Sequence, residues 1–261
     1  MKPAAFDYAR AASLAEATRL LQEGGAEARP IAGGQSLGPM LNLRLAQPKL
    51  LVDVTGIPEL SGAAQRADAV VIGAAVTHAA IEDRRVPDIG QGVLTRVAEG
   101  IAYRAVRNRG TIGGSLSHAD PAADWLTALT ALGATVVVQG ASGARTLAMS
   151  DFVTGPFMTA LVSGEIVRSI QIPKLSDGAR WGWYKVCRKP GEFASTIAAV
   201  LVDPARAVRR AAIGATGDKP LALEGEDVSE ETLARRLAAI DPIERRLHCV
   251  ALRRALTQVT A

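Results

Sequence analysis

Residues 107–124 read Arg107-Asn108-Arg109-Gly110-Thr111-Ile112-Gly113-Gly114-Ser115-Leu116-Ser117-His118-Ala119-Asp120-Pro121-Ala122-Ala123-Asp124. A glycine pair stands beside small hydroxyl residues, and Pro121 suits the first turn of a helix expected to continue through Leu132. Glycines let the backbone take positive φ and let a ligand come within hydrogen-bond reach of it. Successive amide N–H groups then make a site for an anion. Alone, such a stretch reads more readily as an ordinary turn. A second loop of the same character lies upstream, Ile31-Ala32-Gly33-Gly34-Gln35-Ser36-Leu37. It joins an apolar strand, expected over Arg29 to Ala32, to a short helix expected over Gly38 to Leu45.

Neither loop has the GxGxxG spacing of a Rossmann site or the GxxxxGK[ST] spacing of a nucleoside triphosphatase. Together they can do what one loop seldom does, which is to clamp a dinucleotide from two sides. Asp124 is placed to accept hydrogen bonds from sugar or ribityl hydroxyls. It equally suits a helix N-terminus, where the dipole favours a carboxylate.

The flanking sequence frames these loops. Ser13 and Glu16 have capping-box spacing for a helix over Ser13 to Leu21, stopped by Gly24-Gly25. Leu50 to Val54 is a strand, and the order strand, loop, helix, strand suggests a parallel pair. Further strands are expected at Ala69 to Ala75, Ala134 to Gln139 and Glu165 to Ile172, with a helix capped by Thr77 running to about Asp83 and another from Asp88 to Ala98. Gly100 to Asp120 reads as one long loop, and Gly140 to Gly143 as a hairpin turn. A boundary falls at Ser176-Asp177-Gly178. Beyond it, Trp183 to Arg188, Ser195 to Val202 and Ala207 to Thr216 read as strands or a strand–helix mixture. Glu230 to Ile240 and Ile243 to Val259 read as helices.

The chain of 261 residues is 48% hydrophobic, enough for a sizeable core. Its formal charge of +4 gathers in late arginines with no interleaved aromatics, which disfavours nucleic acid and favours a solvated face or a subunit contact. Two cysteines, Cys187 and Cys249, form no CxxC or Cys/His cluster, so no iron–sulfur or zinc site is expected here. No segment approaches the roughly 20 apolar residues of a membrane span. The start, Met1 to Tyr8, lacks the apolar core of a signal peptide, so the cytoplasm is the expected compartment.

The AGGQS and TIGGS loops, the RNRGTIGG run, the HADPAAD tail and the KPAAFDY opening together resemble the FAD-binding medium subunit of the molybdenum hydroxylases. That family includes xanthine and carbon-monoxide dehydrogenases and N-heterocycle dehydrogenases such as those of nicotine or caffeine. The resemblance runs from Met1 to about Arg254. It implies an α+β fold of the vanillyl-alcohol-oxidase (PCMH) type. Two α+β subdomains, residues 1–57 and 58–175, would sandwich FAD. A C-terminal domain, residues 176–261, would pair a small antiparallel sheet with helices.

The resemblance also implies site roles. Ile31, Ala32, Gly33, Gly34, Gln35, Ser36 and Leu37 would wrap the pyrophosphate, and Thr111, Gly114 and Ser115 would meet it from the other side. Asp124 would bind an FAD hydroxyl, Ile101 would lie near the flavin ring, and Val167 would offer its backbone to the adenine end. Lys185 aligns with a lysine near the flavin or its access route, although it could equally be a surface lysine on a strand. Three departures stand out. Position 35 is Gln, where several relatives carry His or Asn. The segment Asp203 to Pro220 is short, which suggests a trimmed C-terminal strand. Leu247-His248-Cys249 stands where relatives tend to have an aromatic–Arg pair.

With no residue nominated as catalytic, the resemblance implies an electron-transfer subunit. A large molybdopterin-binding partner would oxidise substrate, and a small partner would carry two [2Fe–2S] clusters, in a dimer of heterotrimers. Electrons would pass from those clusters to FAD and on to an external acceptor. Two other readings stay open: an autonomous flavin oxidoreductase of the same fold, and a scaffold module without flavin.

Overall fold

A computed structural model describes residues 1–260 as three main sheets and one two-stranded ribbon, with helices between and around them. The first layer runs β1 (Asp7–Arg10), α1 (Leu14–Gly24), β2 (Ala28–Ile31), α2 (Leu37–Asn42) and β3 (Leu50–Asp53). Its strands are parallel in the order β1-β3-β2. The expected parallel pair is therefore present, and β1, which was not expected, completes it. The Ser13 hydroxyl caps α1 by accepting from the Glu16 amide at 3.2 Å. The Glu16 carboxylate reaches back to the Ala12 amide at 2.8 Å, one residue before the usual capping-box partner. The apolar face of α1, Leu14, Ala17 and Leu21, is buried in the core.

The second layer carries α3 (Pro58–Ser61), β4 (Ala63–Gln65), β5 (Ala69–Gly73), α4 (His78–Glu82), α5 (Val93–Glu99), α6 (Arg104–Arg107), α7 (Ile112–His118) and α8 (Asp124–Leu132). It continues with β6 (Thr135–Gly140), β7 (Gly143–Ala148), α9 (Met149–Phe152), β8 (Val153–Gly155), β9 (Met158–Thr159) and β10 (Ile166–Pro173). Five of these strands form an antiparallel sheet ordered β4-β5-β10-β6-β7. In that register Val136 and Val138 of β6 face Ile170 and Val167 of β10, Val137 faces Ser169, and Gly140 pairs with Gly143 at the expected hairpin.

The third layer is β11 (Arg180–Val186), β12 (Thr196–Asp203), β13 (Val208–Gly214) and β14 (Leu221–Glu224), followed by α10 (Glu230–Arg236) and α11 (Pro242–Thr260). The four strands make one antiparallel meander in chain order. α11 lies on one face, close enough that a Cβ at Gly182 would overlap the Ala255 carbonyl. α8 lies on the other face, where a Cβ at Gly214 would overlap the Thr127 hydroxyl. Every residue of α8 is buried, because it packs between this sheet and the second layer.

Several expectations need correction. Gly100 to Asp120 is not one loop: it holds α6 and α7, because Thr111 caps a helix that the glycine pair enters. The helix expected from Pro121 starts at Asp124, since residues 121–123 form a turn. The helix expected from Asp88 starts at Val93. Gly90, Gln91 and Gly92 hold positive φ before it, which excludes α-helix there. The helix expected to reach Ile240 stops at Arg236. The short segment after Val202 still carries β13 and leads into β14, so the sheet keeps four strands.

Candidate functional site

The two glycine loops touch. A Cβ at Gly33 would overlap the carbonyl of Arg109 and lie 2.8 Å from the Gly110 Cα, so only glycine permits this approach. Gly34 has φ +69, and only the Ile31 side chain, 3.6 Å away, comes within 4 Å of where its Cβ would be. Gly34 is thus required by conformation, and the space beside it is open within the chain.

Their backbone amides are used differently. Among the described residues, the N–H groups from Ala32 to Leu37 meet no acceptor. Ser36 stands at the start of α2, yet its exposed hydroxyl makes no cap bond. Gln35 Nε2 donates to the Gly33 carbonyl at 3.2 Å and so stiffens the loop. This run of consecutive free amides is what an anion such as a pyrophosphate needs.

In the second loop the amides are already committed. Ile112 N donates to Val76 O at 3.0 Å, Gly113 N to Ala74 O at 2.9 Å, Gly114 N to Thr111 Oγ1 at 3.0 Å and Ser115 N to Thr111 O at 3.0 Å. What Thr111 and Ser115 can still offer is hydroxyl hydrogen: Thr111 Oγ1 accepts one bond, and Ser115 Oγ makes none among the described residues. The pair of loops is therefore asymmetric, with amides on one wall and hydroxyls on the other.

A second cluster forms where β11 meets α8. Lys185 Nζ lies 2.9 Å from Asp124 Oδ1 and 3.0 Å from Oδ2, and donates to the Gly100 carbonyl at 3.0 Å. Only Oδ2 meets hydrogen-bond geometry; Oδ1 has ion-pair distance alone. Burial pushes the Asp124 carboxyl up to about 6, against the pull of the Lys185 ammonium. Ile101, next to Gly100, is half-buried against the core. The structure thus brings Ile101, Asp124 and Lys185 together. Lys185 is no free surface lysine, since its side chain is only 10% exposed.

Val167 stands apart from both clusters. Its side chain is buried in the core, and its backbone pairs with Val138 at a β-bulge in β10. The His118 ring stacks obliquely on Phe157, 5.2 Å between centroids, which fits a supporting role for α7. Cys187 is half-buried.

His78 was not singled out from the sequence. It is buried behind the second loop, and its Nδ1 accepts from Trp125 Nε1 at 3.1 Å. Its amide donates to the Gly110 carbonyl at 2.9 Å. Burial, with Arg107 nearby, lowers its pKa to about 4. Thr77 as a helix cap was legible, and its hydroxyl does accept from Ala80 N. The pairing of His78 with Trp125 spans 47 positions and left no local signal.

Among the described residues, no group of three His, Cys, Asp or Glu side chains could hold a metal ion, and no helix is long and apolar enough to cross a membrane.

The chain is similar to known proteins. Residues 4–175 match the family described as the FAD binding domain in molybdopterin dehydrogenase. The chain is 35% identical over 243 residues to the 6-hydroxypseudooxynicotine dehydrogenase complex subunit alpha of Paenarthrobacter nicotinovorans, covering 92% of this chain and 82% of that one. It is 36% identical over 227 residues to the carbon monoxide dehydrogenase medium chain of Hydrogenophaga pseudoflava, covering 87% and 79%. A solved structure of carbon monoxide dehydrogenase from the latter organism, lacking the Mo-pyranopterin moiety of its molybdenum cofactor, superposes with a TM-score of 0.90. The identity there is 31%, and 100% of this chain and 99% of that one are covered.

Proposed function

This chain belongs to the FAD-binding medium subunits of the molybdenum hydroxylases, and on that premise we propose that it relays electrons between metal centres in partner chains and an external acceptor. It is the flavoprotein component of an oxidoreductase, and its cofactor is FAD. The observation that carries the site is the run of free amides from Ala32 to Leu37, pressed at Gly33 against a loop that offers hydroxyls.

Ala32 to Leu37 would hold the pyrophosphate, with the Thr111 and Ser115 hydroxyls donating from the opposite wall. Gly114 would serve by presenting no side chain at the exposed end of that wall. Asp124 and Lys185, joined to Gly100 beside Ile101, would set the far end of the cofactor. Val167 would contribute backbone only. Bound FAD supplies the capacity to exchange electrons singly or in pairs; the protein supplies orientation and electrostatics.

Two cysteines are too few for one [2Fe–2S] cluster held by four thiolates, which supports placing the clusters in partner chains. The proposed partners are a large molybdopterin-binding subunit and a small subunit with two [2Fe–2S] clusters, in a dimer of heterotrimers in the cytoplasm. The three layers would correspond to units 1–57, 58–175 and 176–261. Metal and flavin analysis of the complex purified through this chain tests the reading. Molybdenum, iron and FAD arriving with two other chains is the expected result. A single yellow chain that turns over substrate unaided would overturn it.

A further inference from the structure

We propose that His78 is a positioning residue for the cofactor: held by Trp125, its ring braces Gly110 from behind and so sets the spacing of the two glycine loops. The proposal rests on the FAD reading above.

The contacts form one continuous chain of support. Trp125, in the first turn of α8, is fully buried, and its indole N–H can only donate. The Nδ1 of His78 that receives it, at 3.1 Å, must therefore be the bare nitrogen, and Nε2 carries the hydrogen. The ring is fixed in that orientation. Its other edge lies against Gly110: a Cβ there would sit 3.0 Å from His78 Cδ2 and 3.1 Å from Nε2. The His78 amide binds the Gly110 carbonyl at 2.9 Å, and Thr77 bridges to Thr111. One residue earlier, the Arg109 carbonyl abuts Gly33.

A shift of the His78 ring would thus move Gly110, then Arg109, then the wall on which the free amides of the first loop rest. The surroundings disfavour a charge on the ring. Arg107 is the cation beside it and is itself paired with Glu82 at 2.8 Å. Asp124, the neighbour of Trp125 in sequence, is occupied by Lys185. The contacts of His78 are to Trp125 and Gly110, so the proposed role is one of position.

The test titrates FAD into the flavin-stripped full-length chain, read by flavin fluorescence, beside the thermal midpoint of each stripped variant. His78→Phe keeps a planar ring but loses the acceptor, and should raise the FAD dissociation constant about tenfold. His78→Gln, whose amide oxygen can accept from Trp125, should recover most of that loss. Leu233→Ala, in the distant core of α10, should lower the midpoint and leave FAD affinity unchanged. Should His78→Phe not fold, Trp125→Phe is expected to show the same tenfold weakening. Wild-type affinity in the folded variant would overturn the proposal. So would a loss of affinity that Leu233→Ala matches at equal midpoint. A wild-type chain that takes up no FAD would instead overturn the reading beneath it.

Discussion

Gly33 and Gly34 are adjacent, yet they are glycines for different reasons. Gly33 is one because the Arg109 carbonyl occupies the place of its Cβ. Gly34 is one because its φ is +69, with open space where a side chain would point. Gly34→Val should therefore fold at a cost of roughly 1–2 kcal/mol for the left-handed backbone, while placing a branched side chain beside the free amides. Purified Gly34→Val is expected to carry no flavin at near-native circular dichroism; full flavin content would show that nothing binds there. Two buried groups give stability opposite pH trends. His78 is depressed from 6.5 to about 4, so the unfolded chain binds the extra proton between those values. Its contribution is whole above pH 6.5 and is lost as pH falls toward 4. Asp124 is raised from 3.8 to about 6, so its folded form holds the proton and stability falls as pH rises across that window. His78→Phe should flatten the acid decline in thermal midpoint between pH 6.5 and 4. An unchanged slope would show that His78 does not govern it.

α8 is the element that joins the site to the rest. Its first turn offers Asp124 to Lys185 of the C-terminal sheet and Trp125 to His78 behind the second loop. Further along, Thr127 fills the gap at Gly214 of β13. Gly214→Ala would drive a methyl into that hydroxyl, between two packed layers. The expected cost is about 1–3 kcal/mol, read as a lowered midpoint in denaturant; an unchanged midpoint would mean that the layers separate freely there. Elements like these were unevenly legible. The valine run of β6 and the Gly140 turn declare themselves, because period and punctuation agree. α7 did not, because Gly113-Gly114 reads as loop until tertiary contact explains it: a Cβ at Gly113 would overlap Ala74. β1 was missed because four residues with an exposed pattern carry little periodicity, and its strand character comes from pairing with β3.

For the molecule as a whole, the site lies where layers meet, and this limits what the sequence alone can say. The loops themselves were readable from their glycines and hydroxyls. Which wall offers amides and which offers hydroxyls was not, because it depends on Val76 and Ala74 accepting the amides of Ile112 and Gly113. Lys185 was a coin-toss on its strand until folding laid it against Asp124 and Gly100. The late arginines, read as a solvated face or a subunit contact, are mostly exposed, and some of them also find partners within the chain. Arg210 pairs with Glu224 at 2.7 Å, and Arg254 stands over the Tyr184 ring. The central claim is that the free amides of the first loop, seated on the second, hold FAD. The most direct measurement is chromatographic identification and quantitation of the flavin released when the purified chain is denatured. FAD in an amount equal to the chain is the predicted result. A colourless protein, or one that releases only a mononucleotide, would contradict it.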